Sequence, residues 1–272
     1  MTLLQAIILG IIQGLTEFLP ISSSAHLVLA PFLFNWKIPS EQIFPFDVLV
    51  QMGTLVAVII YFRNDLWIII KGFLNELWNK KPFEGEPAKL GWLLILASIP
   101  AGVIGIFLKE AVERAFSSPA ATSFLLLGTA VLLTAAELLG KRNRDMEKLN
   151  WLDALIMGIF QAAAVFPGIS RSGATISGGM FRNLNRVTAA RFSFLMSVPI
   201  MLAAGVLGVV DLLEVPNLQE FLPVMIIGFL VAGLVGYLSI HWLLKFLTRR
   251  PLTWFAGYCV LAAGTCLLVY YV

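Results

Sequence analysis

The chain has 272 residues, 59% of them hydrophobic and 13% charged, with a net charge of +3 and a mean hydropathy of +0.88. A soluble domain carries roughly 25% charged residues, so a fully water-facing surface is excluded and lipid must cover much of this one. Its Lys and Arg residues cluster between apolar runs, which suits loops at a membrane surface rather than a nucleic-acid-binding face.

In chain order, residues 2–34 are apolar but interrupted by Pro20-Ile21-Ser22-Ser23-Ser24. Residues 1–12 hold no Lys or Arg, so the basic start of a cleavable signal is not expected. Apolar runs near 44–62, 90–108 and 119–139 follow, each about the 20 residues that a crossing needs. Residues 152–181 form a second broken region, interrupted by Pro167-Gly168-Ile169-Ser170-Arg171-Ser172-Gly173. Three further spans are predicted near 192–210, 221–244 and 252–272. The arms beside each break are short for a crossing. Short arms around a Pro/Gly/Ser break predict a re-entrant helix–loop–helix hairpin, tolerated at membrane depth where protein buries it or where it lines a wet cavity. Cys259 and Cys266 are seven residues apart in one apolar run. On a helix that is about 10 Å, too far for a disulfide.

The two broken regions resemble each other. At an offset of 148, Ala6, Gly10, Gln13, Phe18, Ile21, Ser22 and Ser24 fall on Ala154, Gly158, Gln161, Phe166, Ile169, Ser170 and Ser172. At an offset of 146, Phe46 and Leu49 fall on Phe192 and Leu195. The expected architecture is an all-α polytopic membrane protein, one membrane domain over 1–272, with six transmembrane helices and two re-entrant hairpins in an internal repeat. Repeat 1 covers 1–147 with its hairpin at 2–34, and repeat 2 covers 148–272 with its hairpin at 152–181. Three spans per repeat is an odd number, so the second repeat is inverted. Charge agrees. Segment 63–89, read as a loop, carries Arg63, Lys71, Lys80, Lys81 and Lys89. On the same side lie Lys141, Arg142, Arg144, Lys148, Arg182, Arg186, Arg191, Lys245, Arg249 and Arg250, against only Lys37, Lys109 and Arg114 opposite. The basic side is expected to be cytoplasmic and both termini to face outward. Glu137 and Arg191, near cytoplasmic span ends, are explained by snorkelling.

The first break belongs to a motif running from Gln13 through Glu17, Ser22, Ser23 and Ser24 to His26. Gln13 and Glu17 are four apart and share a helix face, and a carboxylate inside a membrane segment is a functional candidate. The serines precede a short helix, where hydroxyls cap and free N–H groups attract an anion. His26, about one turn in, is suited to proton exchange near neutral pH. The second motif, Phe166 to Thr175, offers Ser170, Arg171, Ser172, Gly173 and Thr175: hydroxyls, loop N–H groups and a guanidinium, the set a phosphate takes. A buried arginine needs an anionic partner, either Glu17 or a bound phosphate, or each in turn. Two hairpins meeting near the midplane would join both motifs in one site suited to phosphoryl transfer. Either an activated serine attacks phosphorus with His26 as proton partner, or Glu17 helps to hold a divalent ion that bridges the phosphates. Asp47 and Gln51 are candidates for the site mouth. The sequence holds no Cys/His metal cluster, Walker sequence or dinucleotide fingerprint.

At these motifs the chain resembles the bacterial undecaprenyl-diphosphate phosphatases, also called bacitracin-resistance proteins. The resemblance rests on Gln13-Gly-Leu-Thr-Glu17-Phe-Leu-Pro-Ile-Ser-Ser, on His26, and on Pro167-Gly-Ile-Ser-Arg-Ser-Gly-Ala-Thr175-Ile-Ser-Gly-Gly, and it runs through nearly the whole chain. The family's first signature admits Glu or Gln, three residues, then Glu; this chain has Gln13 with Glu17. The resemblance implies six spans plus two hairpins, a site open to the outer face of the bacterial plasma membrane, and removal of the terminal phosphate from undecaprenyl diphosphate. That reaction recycles the cell-wall lipid carrier and removes the lipid that bacitracin binds. It further implies catalytic roles for Glu17, His26 and Arg171, with Ser23 as candidate nucleophile and Gln13, Ser22, Ser24, Ser170, Ser172, Gly173 and Thr175 around the substrate. A divalent cation, Mg2+ or Ca2+, is the implied cofactor, with Glu17 as its candidate ligand. The expected partners are a polyprenyl diphosphate lipid and the bilayer; a homodimer is the oligomer to look for. The alternative is a transporter or flippase for a phosphorylated lipid, since inverted repeats with broken helices are common in transporters.

Overall fold

The structure, a computed structural model, describes residues 1–108, 116, 118–213 and 218–272. Lys109 and Arg114, used in the charge count above, lie outside the described residues. The described residues form eleven α-helices, one short 3-10 turn and no strand. The helices are α1 (Leu3–Thr16), α2 (Ser23–Leu33), α3 (Ser40–Tyr61), α4 (Arg63–Trp78), α5 (Glu86–Phe107) and α6 (Pro119–Leu139). They continue as α7 (Trp151–Ala163), α8 (Arg171–Phe181), α9 (Arg186–Leu213), α10 (Leu218–Leu247) and α11 (Thr253–Tyr271).

Five helices are long and apolar enough to cross a membrane: α5, α6, α9, α10 and α11. Pro45–Tyr61 and Arg63–Trp78, bent by 78° at their junction, make a sixth candidate when counted as one span. Large apolar side chains such as Ile106, Val131, Leu138, Leu234 and Leu261 face outward, as a lipid-covered surface requires. The protein is therefore a polytopic membrane protein. The residues 63–89, expected as a loop, contain α4. Its Trp67, Ile68, Ile70, Leu74 and Trp78 are exposed, whereas Gly72 and Phe73 pack on Pro87 and Gly91 of α5. The basic residues of this segment masked the apolar positions that make it helical and amphipathic.

The helix ends follow local chemistry. Thr2 and Gln5 form a capping box before α1, and Asn150 and Asp153 form one before α7. Ser22 caps α2 and Ser170 caps α8. These two caps are 148 apart, as are the starts of α1 and α7, and the bounds of α8 are those of α2 moved by the same 148. Glycines set the closest approaches. A Cβ on Gly10 would lie 2.7 Å from the Gly228 carbonyl oxygen, and one on Gly14 2.7 Å from Val235 Cβ, so α1 lies parallel and close to α10. A Cβ on Gly158 would lie 2.6 Å from the Ala97 carbonyl oxygen, and α7 packs in the same way on α5.

The ends of these helix pairs are tied to neighbouring elements. The Met1 amine lies 2.5 Å from Gln42 Oε1, just beyond α2, and Phe32 of α2 packs on Tyr270 in the last turn of α11. At the opposite end of the molecule, Asp153 opens α7 and is fully buried. It accepts hydrogen bonds from Arg144 (2.7 and 2.9 Å), from Arg182 just past α8 (2.8 Å) and from the Asn150 N–H (3.0 Å). The hydrogen bonds it donates to Asp153 raise the Arg144 guanidinium above its ordinary pKa. Glu137 is 8% exposed and accepts from Arg142, Arg186 and the Leu252 N–H. Snorkelling therefore does not describe Glu137: it is a hub joining α6, α9 and the start of α11. Nor does it describe Arg191, which pairs with Asp65 at 2.9 Å and lies 5.6 Å over the Phe62 ring. Cys259 and Cys266 are buried free thiols, as their spacing required.

Candidate active site

Both breaks are short non-helical turns whose polar groups converge. Phe18, fully buried and edge-on to Phe194 at 5.3 Å, anchors the first turn in the core. Ser22 has φ +68°, the left-handed region that a non-glycine residue occupies at a cost of about 1–3 kcal/mol. That conformation turns its carbonyl to His26 Nδ1 at 2.7 Å while its Oγ accepts the Ala25 N–H at 3.3 Å. In the second turn Gly168 has φ +105°, and a Cβ there would strike the Thr122 carbonyl. The Gly168 carbonyl instead accepts from Thr129 Oγ1 at 2.8 Å, and Thr129 Oγ1 in turn accepts the Ser170 N–H at 2.9 Å. One α6 threonine thus fixes both sides of the break before α8.

The two turns touch. Ser172 Oγ donates to the Leu19 carbonyl at 3.0 Å, and Arg171 Nη2 meets Glu17 Oε1 at 2.8 Å. Glu17 Oε2 accepts from Gln13 Nε2 at 2.8 Å and from Ser23 Oγ at 2.5 Å. The N-termini of α2 and α8 therefore face one carboxylate and one guanidinium, and both helices bring positive ends to the same place. Around this pair, Ser22 Oγ lies 3.2 Å from Ser24 Oγ, and Ser170 Oγ lies 3.1 Å from Ser172 Oγ while accepting the Gly173 N–H at 3.0 Å. Gly173 packs tightly: a Cβ there would sit 3.0 Å from Ser170 Cβ, so the capping serine would have to shift by a few tenths of an ångström. Thr175 Oγ1 bonds back to the Arg171 carbonyl at 2.7 Å and lies 2.6 Å from Ser193 Oγ.

The guanidinium is only half satisfied. Arg171 Nε and Nη1 are buried and have no hydrogen-bond partner, and Gln13 Oε1 is in the same state. A buried polar group without a partner costs about 1–3 kcal/mol, more when charged, so these atoms mark a place for an anionic or hydrated ligand.

All the motif residues come together except in one respect. Ser23 is bonded to Glu17, whereas His26 Nε2 faces the Tyr258 hydroxyl at 2.8 Å. Asp47 and Gln51 lie on α3, and no hydrogen bond among the described residues joins them to the two turns. Thr129, Ser193 and Tyr258 escaped the sequence reading because they sit on distant spans with no motif of their own. Gln161 carried a signal: it matches Gln13 in the offset and is buried, with its Nε2 on the Ala97 carbonyl at 3.3 Å and its Oε1 unpartnered. Among the described residues no cluster of three or more His, Cys, Asp or Glu side chains could hold a metal ion. Among the described residues, Glu17 is the carboxylate that the two turns share. A hard divalent ion takes one or two protein carboxylates when phosphates supply the remaining oxygens, so the donor set suits an ion that arrives with a phosphorylated ligand and does not suit an all-protein cage.

The family model described as bacitracin resistance protein BacA matches residues 6–265 of the chain. A protein named undecaprenyl-diphosphatase from Pelodictyon phaeoclathratiforme is 42% identical over 278 residues, covering 98% of this chain and 96% of its own. The protein of that name from Moorella thermoacetica is 42% identical over 271 residues, covering 100% and 99%. A third, from Myxococcus xanthus, is 40% identical over 269 residues, covering 99% and 89%.

Proposed function

The chain belongs to the bacitracin resistance protein BacA family, and on that premise we propose how its buried site carries out the reaction. The enzyme hydrolyses undecaprenyl diphosphate to undecaprenyl phosphate and inorganic phosphate, which returns the lipid carrier to cell-wall synthesis. One observation carries the reading of the site: Arg171 presents two buried, unpartnered N–H directions, Nε and Nη1, beside the N-terminus of α8. Unpartnered guanidinium N–H groups suit phosphate oxygens. In this reading the phosphate oxygens of the substrate take those N–H groups, and the α8 first-turn N–H groups and the Ser170 and Ser172 hydroxyls complete the cradle.

Ser23 is the nucleophile and Glu17 its base, as supported by their 2.5 Å hydrogen bond. Ser23 Oγ attacks the terminal phosphorus and its proton passes to Glu17. The bond from that phosphorus to the bridging oxygen breaks, and undecaprenyl phosphate departs with the electron pair. Water then attacks the phosphorus of the serine phosphoester and gives a proton to His26; the bond from phosphorus to Ser23 Oγ breaks, Ser23 Oγ takes back the proton held by Glu17, and inorganic phosphate leaves. Arg171 holds the charge that develops on the transferred phosphoryl oxygens. Gln13 orients Glu17, and Ser22, Ser24, Gly173 and Thr175 shape the two turns. A divalent cation, Mg2+ or Ca2+, would be held by Glu17 and the substrate phosphates and would supply charge neutralisation there.

The same reading covers topology. Helices α1–α2 and α7–α8 are re-entrant hairpins entering from opposite faces, in two inverted repeats over 1–147 and 148–272. This is supported by the shared helix bounds and by exchanged packing, α1 on an α10 from the other half and α7 on an α5 from the other half. Together with the charge bias it favours a bacterial plasma-membrane location with the site opening outward. An apolar groove of about 520 Å3 between α5 and α7, ending at Phe166, suits part of the isoprenoid chain.

The test is phosphate release from C55 diphosphate in detergent, with Mg2+ or with EDTA. Release by wild type that EDTA abolishes, and that Glu17→Ala and Ser23→Ala each lower by at least about 100-fold, is the expected result. Release undiminished in Ser23→Ala would remove the serine nucleophile and leave water in its place.

A further inference from the structure

His26 has both ring nitrogens engaged. Nδ1 lies 2.7 Å from the Ser22 carbonyl oxygen. A carbonyl can only accept, so Nδ1 carries a proton, and in the neutral ring the lone pair is on Nε2. Nε2 meets the Tyr258 hydroxyl at 2.8 Å, which donates to it, and the two rings stack at 5.6 Å with 13° between their planes. Tyr258 stands on α11, 232 residues away in sequence. It is held there by its neighbour: Cys259 is fully buried, with its Sγ 3.9 Å from the Pro20 carbonyl of the first turn. The tyrosine thus supplies two restraints that the α2 backbone cannot, one on the plane of the imidazole and one on the direction of its free nitrogen.

We propose that Tyr258 is a positioning residue for the phosphatase reaction, holding His26 in the Nδ1–H form with Nε2 as the nitrogen that exchanges protons. The proposal rests on the reading of His26 as the proton-transfer group. In the resting site the Tyr258 hydroxyl occupies Nε2. During hydrolysis of the phosphoester, the water's O–H takes the place of that hydroxyl while the ring stack keeps the imidazole aligned. Positions at which a catalytic ring is oriented by a neighbour act through that ring, so their loss is not independent of it.

The experiment combines kinetics and 15N spectroscopy on the full chain in detergent. Phosphate release from C55 diphosphate is measured for wild type, Tyr258→Phe, His26→Gln and the double variant. Tyr258→Phe keeps the stacked ring and removes only the hydroxyl. The expected loss is about tenfold in kcat with KM within about twofold, and no further loss when Tyr258→Phe is added to His26→Gln. The chain has two histidines, so His241→Gln leaves the ring signals of His26 alone. They are expected to report a proton on Nδ1 and an Nε2 signal that moves in Tyr258→Phe. Wild-type kcat in Tyr258→Phe, losses that multiply in the double variant, or a neutral ring protonated on Nε2 would each overturn the proposal. Absence of phosphate release from folded wild type would instead bring down the phosphatase reading, and this inference with it; the wild-type arm tells the two failures apart.

Discussion

Replacing Arg171 by lysine separates the guanidinium N–H groups from the positive charge. The arginine side chain is 16% exposed, and its Nη2 holds Glu17, whose side chain is 3% exposed. Lysine keeps a cation near Glu17 but cannot replace both the Nε–H and the Nη1–H while it does so. Two hydrogen bonds to a charged group are lost, each contributing about 1.5–3 kcal/mol. A loss of about 3–5 kcal/mol is roughly a 10^2- to 10^4-fold fall in kcat/KM. Arg171→Ala is a poorer probe. It also strands Glu17, and breaking a buried pair costs about 3–5 kcal/mol of stability, so low activity would mix misfolding with lost binding. The assay is phosphate release from C55 diphosphate with Mg2+, alongside the thermal midpoint of each variant in the same detergent. Arg171→Lys with a near-native midpoint and kcat/KM within about threefold of wild type would refute the argument, since the unpartnered N–H groups would then not be the phosphate receptor.

Two predictions concern the frame around the site. Glu137→Gln leaves Arg142, Arg186 and the Leu252 N–H around a neutral amide. With Arg142 35% exposed and partly screened, the expected cost is about 2 kcal/mol, read as a lower thermal midpoint with kcat per folded molecule unchanged. Gly168→Ala forces a Cβ onto a backbone at φ +105° that faces the Thr122 carbonyl. It is expected to cost at least about 1–3 kcal/mol and to lower kcat/KM by moving Ser170 and Arg171; unchanged kinetics would show that the turn before α8 tolerates displacement.

The sequence by itself determined the solvent and the ingredients. Apolar runs of spanning length pointed to a polytopic helical membrane protein, and five of the six expected runs form helices long enough to cross, because a membrane allows few alternatives to a helix. The breaks at Pro20 and Pro167 were readable because proline and glycine act locally, and the acid, histidine, serines and arginine stood out because charge in lipid is costly. The pairing of Arg171 with Glu17 was foreseen as one of two alternatives, for the same reason. Segment 63–89 was misread because α4 joins basic and apolar positions, and composition over a window does not resolve which face each residue takes. Tertiary structure alone decided what lies opposite what. It gave Ser23 to Glu17 and His26 Nε2 to Tyr258, put Thr129 under the second turn, and made Glu137 and Asp153 arginine hubs rather than surface charges. Those partners come from spans far apart in sequence, and their distances are set by which helix faces pack together, a property of the whole bundle that no local pattern encodes.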